Sequence, residues 1–308
     1  LNQFIICQGF SGMGMATVLI GAVLNIVLDP VFIFALNMGV KGAAIATVLS
    51  QAAGFVFVVC VLLGKKIHVR LSFGGYDWRV MRRVLLYGLS PFVITATDSI
   101  LLIVMNTVLQ TCGGPSRGDM LITCATIVQS YMQLITSPMI GISGSSQAII
   151  SYNYGACQTR RVKKTVACTL RLMLLFTTLM FIVSRVLPGI FVLLFTTVPE
   201  YIDFSVWGIR TFTLMIIPLS FQYLFVDSLT ALERTKTALS LSILRKSLYV
   251  AGTILLPFVF DAAAAFYAEP LADGASAVIT SVIFLLILNR HLARREQLAP
   301  RPGGASRT

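Results

Sequence analysis

In the stretch Leu24–Phe34, LNIVLDPVFIF, an amide, a carboxylate and a proline interrupt otherwise apolar sequence. Asn25 and Asp29 are four residues apart, so on a helix both project from one face. Pro30 has no N–H to offer the carbonyl of Ile26, which loosens a helix at that level. A carboxylate, an amide oxygen and a freed carbonyl are hard oxygen ligands for a small cation such as Na+; the carboxylate alone can hold a proton. Thr47, in the next apolar run, adds a hydroxyl. Asn25, Asp29 and Thr47 are therefore the candidate ion- or proton-coupling set, with Asp29 as its ionisable member.

Asp98 and Asp227 also fall well within apolar runs, and Asp273 lies in the first part of the last one. A carboxylate at the centre of a membrane helix costs about 2.5–3.5 kcal/mol on insertion scales. Such a group must face protein or water. It then either handles an ion, proton or substrate, or hydrogen-bonds a neighbouring helix for packing. Gln129 and Gln147 carry the same two readings, as cavity lining or as packing residues. Asp98, Gln129, Gln147 and Asp227 form the candidate list for a cavity or second ion site. The six cysteines show no CxxC or other metal-ligand spacing, so they are expected to pack. No metal centre beyond Na+ at Asn25, Asp29 and Thr47 is expected, and no cofactor beyond the coupling ion, H+ or Na+.

The elements that must position these residues are long apolar helices. Hydrophobic residues make up 56% of the 308 and charged residues 12%, too little polar surface for a water-soluble chain of this size. The apolar runs are continuous rather than alternating, which selects helices over a barrel. Eight complete spans are expected at 12–36, 40–64, 84–111, 118–150, 164–195, 203–232, 236–260 and 264–290. Their connections alternate in charge. Lys65, Lys66, Arg70, Arg79, Arg82 and Arg83 share one side with Arg160, Arg161, Lys163, Lys164, Arg234, Lys236 and the basic tail. The opposite connections hold only Lys41 and Arg117. By the positive-inside rule the basic side, with the C-terminus, is cytoplasmic. This distribution accounts for the net charge of +12 without a nucleic-acid partner. The first residue is Leu, within sequence already apolar, so the chain reads as a piece lacking an upstream part.

The run QGFSGMGMATVLIGAVLNIVLDPVFIFALNMGVKGAAIATVLSQ (8–51) resembles the multidrug and toxic compound extrusion (MATE) transporters. Its N-x3-DP followed by G-x-x-GAAxAT matches that family's fifth and sixth helices. GSSQAIISYNYGACQTRRVKK (144–164) is similar to the segment after the eighth helix, with Ala148 in place of the usual proline. AEPLADGASAVITS (268–281) looks like the start of the twelfth. The resemblance implies an all-α polytopic membrane protein, a MATE-type two-lobe helical bundle. The last two helices of the N-terminal lobe (1–64), an inter-lobe linker (65–83) and the six-helix C-terminal lobe (84–292) would be present, followed by a disordered tail (293–308).

It further implies a secondary transporter, a monomer in the plasma membrane. Such a protein exports cationic or amphipathic small molecules in antiport with H+ or Na+ by alternating access. Asn25, Asp29 and Thr47 match the family's N-lobe residues in type and spacing; the family's first-helix Asp would lie upstream. Arg245 resembles an arginine of the eleventh helix and reads as structural or interfacial. A lipid-linked oligosaccharide flippase of the same superfamily is the nearby alternative. It would carry bases within its cavity, whereas the bases here are expected mainly at the cytoplasmic rim. An intramembrane aspartyl enzyme is the alternative from another class. It would need YD and GxGD contexts, and the chain has YD only at Tyr76-Asp77 and no GxGD.

Overall fold

The computed structural model describes the backbone of residues 1–64, 74, 75 and 77–298. The expected basic cluster at Lys65, Lys66 and Arg70, residues 299–308 of the expected tail 293–308, and the side chains of 86, 87, 89–91, 93–95, 115, 116 and 289–298 lie outside the described residues; 293–298, expected as disordered tail, continue the last helix. Ten α-helices with short π and 3-10 segments account for the described elements, and no strand occurs among them. They are α1 (Asn2–Cys7), α2 (Ser11–Pro30), α3 (Gly39–Leu63), α4 (Trp78–Gly155) and α5 (Thr159–Val186). The series continues with α6 (Pro188–Val192), α7 (Pro199–Phe212), α8 (Ile216–Ala231), α9 (Thr235–Val259) and α10 (Ala268–Leu298).

Among the described residues, six helical segments are long and apolar enough to cross a bilayer: Ser11–Ala35, Gly39–Leu63, Thr159–Val186, Pro199–Ala231, Thr235–Val259 and Ala262–Leu288. α4 is a hairpin of two arms. Gly114 has φ 69° and ψ −177°, a left-handed backbone that suits glycine. Gln110 Nε2 donates to Asp119 Oδ1 at 3.4 Å, although nine residues of straight helix would separate their Cα atoms by about 13 Å. The chain therefore turns back between the expected spans 84–111 and 118–150. The expected span 164–195 is shorter than its apolar run: α5 stops at Val186 because Pro188 cannot donate to the carbonyl four residues before it.

The burial pattern is that of a protein in oil. On α5, Leu175 is 71% and Val186 68% exposed, while Thr177 and Ser184 are fully buried. Thr177 meets Ser220 of α8 at 2.9 Å. Apolar side chains face outward and hydroxyls pair between helices, as expected where lipid removes the usual drive to bury hydrocarbon.

The chain divides into two compact units, residues 1–81 and 82–308. In the first, the buried face of α3 is Gly42, Ala46, Ser50, Gly54, Val58 and Leu62, one residue every fourth position. The small members let backbones approach. A Cβ on Gly54 would lie 3.5 Å from the Thr17 carbonyl oxygen of α2, and one on Gly42 only 2.7 Å from the Phe32 carbonyl oxygen. In the second unit the core centres on Phe266, whose ring meets those of Phe204, Trp207 and Phe212.

A charged tie joins α9 to α10. Arg245 Nε donates to Asp273 Oδ1 at 2.6 Å and Arg245 Nη2 to Glu269 Oε1 at 2.8 Å. Asp273 is fully buried. Glu269 and Asp273 are one turn apart on α10, so a single guanidinium fork spans both.

Arg245→Met is expected to destabilise the protein by about 3–5 kcal/mol, since two carboxylates lose their counter-charge in a buried site. Adding Asp273→Asn should restore part of that loss, read as thermal unfolding in detergent. Gly42→Val should cost about 1–3 kcal/mol in the same assay, because the added carbon meets backbone that cannot move aside. Gly141 has no neighbouring atom within 4 Å of where an alanine methyl would stand, so Gly141→Ala should be tolerated without loss.

Candidate functional site

In the first unit, α2 and the π-helical turn Val31–Ala35 carry the N-x3-DP residues. α2 is helical through Pro30; the departure from α geometry follows it, with Leu36 N–H donating to the Val31 carbonyl at 3.0 Å. A π-turn redirects side chains by one residue and is frequent at functional sites. Gly42 makes room for that wide turn against α3, which places Thr47 one helical turn further along beside Asn25.

Asn25 Nδ2 donates to Asp29 Oδ1 at 3.3 Å and to Thr47 Oγ1 at 3.5 Å. The Thr47 hydroxyl in turn donates to the Ala43 carbonyl at 2.9 Å. Both amide hydrogens and the hydroxyl hydrogen are thus committed within the set. What remains directed outward is acceptor only: Asn25 Oδ1, the open lone pairs of Asp29 and those of Thr47. Such a set has nothing to offer an anion and several oxygens to offer a cation. Asn25 and Asp29 are half-buried and Thr47 is exposed. Asn25 and Thr47 line a cavity of about 640 Å³ together with Thr17, Ser50 and Gln51. Among the described residues the salt bridges join Arg245 and Lys246 to acids of the second unit; Asp29 is not in one.

The second unit holds two adjoining cavities. The first, about 330 Å³, is lined by Asp98, Gln129, Tyr223, Arg245, Lys246 and Glu269 among others. The second, about 300 Å³, shares Asp98, Tyr223, Arg245 and Lys246 and adds Gln222 and Asp227. Lys246 Nζ lies 2.8 Å from Asp98 Oδ1. The Asp227 carboxylate accepts from Ser143 Oγ at 2.5 Å, and Gln222 accepts from the Thr280 hydroxyl.

Of the candidate residues, Asn25, Asp29 and Thr47 are brought together. Asp98 and Gln129 share one cavity, and Asp98 and Asp227 share the other. Gln147 is half-buried on α4 and lines neither. Sequence reasoning underestimated the bases. Arg245 and Lys246 line both cavities rather than lying at a rim, and each is held by carboxylates. Their signal was present as a basic pair in the middle of an apolar span, with Glu269 and Asp273 at i, i+4 on the next.

The family model MatE matches residues 94–260, more than half of the chain. The multidrug export protein MepA of Staphylococcus haemolyticus is 24% identical over 264 residues, covering 84% of this chain and 55% of that protein. The MepA of Staphylococcus aureus strain MSSA476 is 20% identical over 295 residues, covering 94% and 63%. The chain thus spans somewhat over half the length of these curated relatives. Among solved structures, a MATE in the straight conformation superposes with a TM-score of 0.85 at 19% identity, covering 95% of this chain and 66% of that one. An outward-facing multidrug resistance MATE family transporter of the MOP superfamily gives 0.85 at 18% identity over the same shares. At such identity the structural match speaks for the fold: an all-helical, multi-pass membrane bundle. With the family model spanning most of the second unit's helices, the chain belongs to the MatE family.

Proposed function

We propose that the protein of which this chain is part is a secondary antiporter that exports cationic or amphipathic small molecules in exchange for H+ or Na+. The observation that carries this reading is the acceptor-only set of Asn25, Asp29 and Thr47 beside the Pro30 π-turn. Asp29 accepts from the Asn25 amide and has no tethered cation among the described residues, so a mobile one completes the site. Binding H+ or Na+ there would favour one arrangement of the bundle and binding of the drug another, so that exchange follows from differential affinity. The names of the MepA relatives support multidrug compounds as the cargo class.

In this reading residues 1–64 close an N-terminal lobe, 65–83 link it to a C-terminal lobe at 84–292, and 293–308 form a cytoplasmic tail. The transporter acts as a monomer in the plasma membrane. Asp98 with Gln129 in one cavity, and Asp98 with Asp227 in the adjoining one, serve cargo or ion, and Gln147 shares α4 with Asp98 and Gln129. The flippase alternative would use cavity bases to grip an anionic headgroup. Arg245 pairs with Glu269 and Asp273 and Lys246 with Asp98, so neither base lacks a carboxylate counter-charge, which disfavours an anionic headgroup. The aspartyl-enzyme alternative needs two facing carboxylates free for acid–base work, and Asp29 faces an amide instead.

The test is transport by the complete protein in vesicles with imposed pH and Na+ gradients. Asp29→Asn preserves size and removes the charge, so insertion should be retained and gradient-driven efflux of a fluorescent cation should fall at least tenfold. The gradient that drives the wild type names the coupling ion. Undiminished efflux by the mutant would remove Asp29 from the mechanism.

A further inference from the structure

The pair of Asp98 and Lys246 is lopsided. The ammonium end belongs to a side chain only 8% exposed, whereas the carboxylate side chain it meets at 2.8 Å is 61% exposed. Both residues line both cavities of the second unit, together with Ile140, Tyr223 and Arg245. The pair therefore stands where the two spaces adjoin, with one face of the carboxylate open to any cation that enters. The surroundings suit an organic cation: Met132, Phe212, Tyr223 and Tyr249 supply apolar and aromatic lining to the larger cavity.

We propose that Lys246 is a tethered surrogate for the cationic cargo: it holds Asp98 until cargo arrives, and an organic ammonium or phosphonium ion binds by displacing it. The inference rests on the reading that the protein takes cationic amphiphiles, and adds which residue sets how tightly they bind. The neighbouring charges make the exchange specific to Lys246. Arg245 is fixed by two carboxylates at once, Glu269 and Asp273, so it does not compete for Asp98. The displaced ammonium stays within a cavity that also presents Asp227, a second carboxylate. Cargo binding then exchanges one ion pair for two, and no charge is left bare in the apolar interior. A lysine suits this role better than arginine would, since a compact ammonium on a flexible stem can turn from one carboxylate to another more readily than a planar fork held by paired hydrogen bonds. Selectivity follows as well, because a cation must outcompete an intramolecular rival and weakly charged compounds are turned away.

The chain in detergent or nanodiscs, titrated with tetraphenylphosphonium, tests this directly. Lys246→Met keeps the stem and removes the rival, so affinity should rise at least tenfold. Asp98→Asn should lower affinity at least tenfold, and in that background Lys246→Met should change it less than twofold. Asp227→Asn should weaken binding several-fold, since the displaced ammonium loses its second partner. Equal or weaker binding by a folded Lys246→Met variant would overturn the proposal, as would an equal gain in the Asp98→Asn background. Should the variant fail to fold, amine labelling of the wild type decides. Saturating tetraphenylphosphonium should speed modification of Lys246, and an unchanged or slower rate would overturn the idea. Vesicle efflux is a separate readout: tighter binding by Lys246→Met in a protein that performs no gradient-driven export would sink the antiport reading and leave this one standing.

Discussion

Charge inside an oily bundle constrains everything else in this protein. A carboxylate among long apolar helices needs a proton, a hydrogen-bond donor or a cation within reach, and Asp29, Asp98, Asp227, Glu269 and Asp273 each have a partner. Asp273 and Glu269 share the Arg245 fork, Asp98 takes Lys246, Asp227 takes the Ser143 hydroxyl, and Asp29 takes the Asn25 amide. These partners come from other helices or from one turn away on the same helix. Satisfying charge therefore also fixes how α4, α8, α9 and α10 pack.

The small residues serve that requirement. Lipid offers no gain for burying one leucine against another rather than against acyl chains, so close backbone approach and interhelical hydrogen bonds carry the packing. The every-fourth ridge of α3 brings α2 near enough for Asn25 to reach Thr47. Gly42 accommodates the π-turn that follows Pro30, and with it the wide backbone at the level of Asp29. On the other unit the Thr177–Ser220 contact and the Gln222–Thr280 hydrogen bond tie α8 to α5 and α10. Polar groups face inward here for the reason apolar groups do in water: the exterior cannot satisfy them.

Much of this was legible in the residues. Continuous apolar runs gave the helices, and i, i+4 spacing put Asn25 and Asp29 on one face. The Gly113-Gly114 pair lay between two expected spans where the hairpin turns. What was not legible has physical reasons. Pro188 shortens α5 inside a run that is apolar again on either side of it, because helix geometry answers to a missing N–H and not to hydropathy. The α9–α10 ion cluster joins residues 24 and 28 apart, and only tertiary packing decides whether Arg245 reaches inward or snorkels to the interface. Lys246 stands in the middle of an apolar span, and what neutralises it is not visible until Asp98, far away in sequence, is placed beside it.

The two units resolve the same electrostatic problem in different ways. Asp29 accepts from a neutral amide, that of Asn25, which softens a carboxylate's charge without cancelling it. Asp98, Glu269 and Asp273 meet permanent cations carried by the chain itself. A site of the first kind has an occupancy that follows the ion concentration or pH on whichever side it faces, because its missing charge comes from solution. A site of the second kind is neutralised from within and changes only when something displaces its tethered cation. Coupling an ion gradient to cargo needs one site that senses the gradient and another that senses the cargo. In the proposed antiport, the neutral amide partner of Asp29 would serve the first need and the displaceable ammonium proposed at Asp98 the second, with the same carboxylate chemistry.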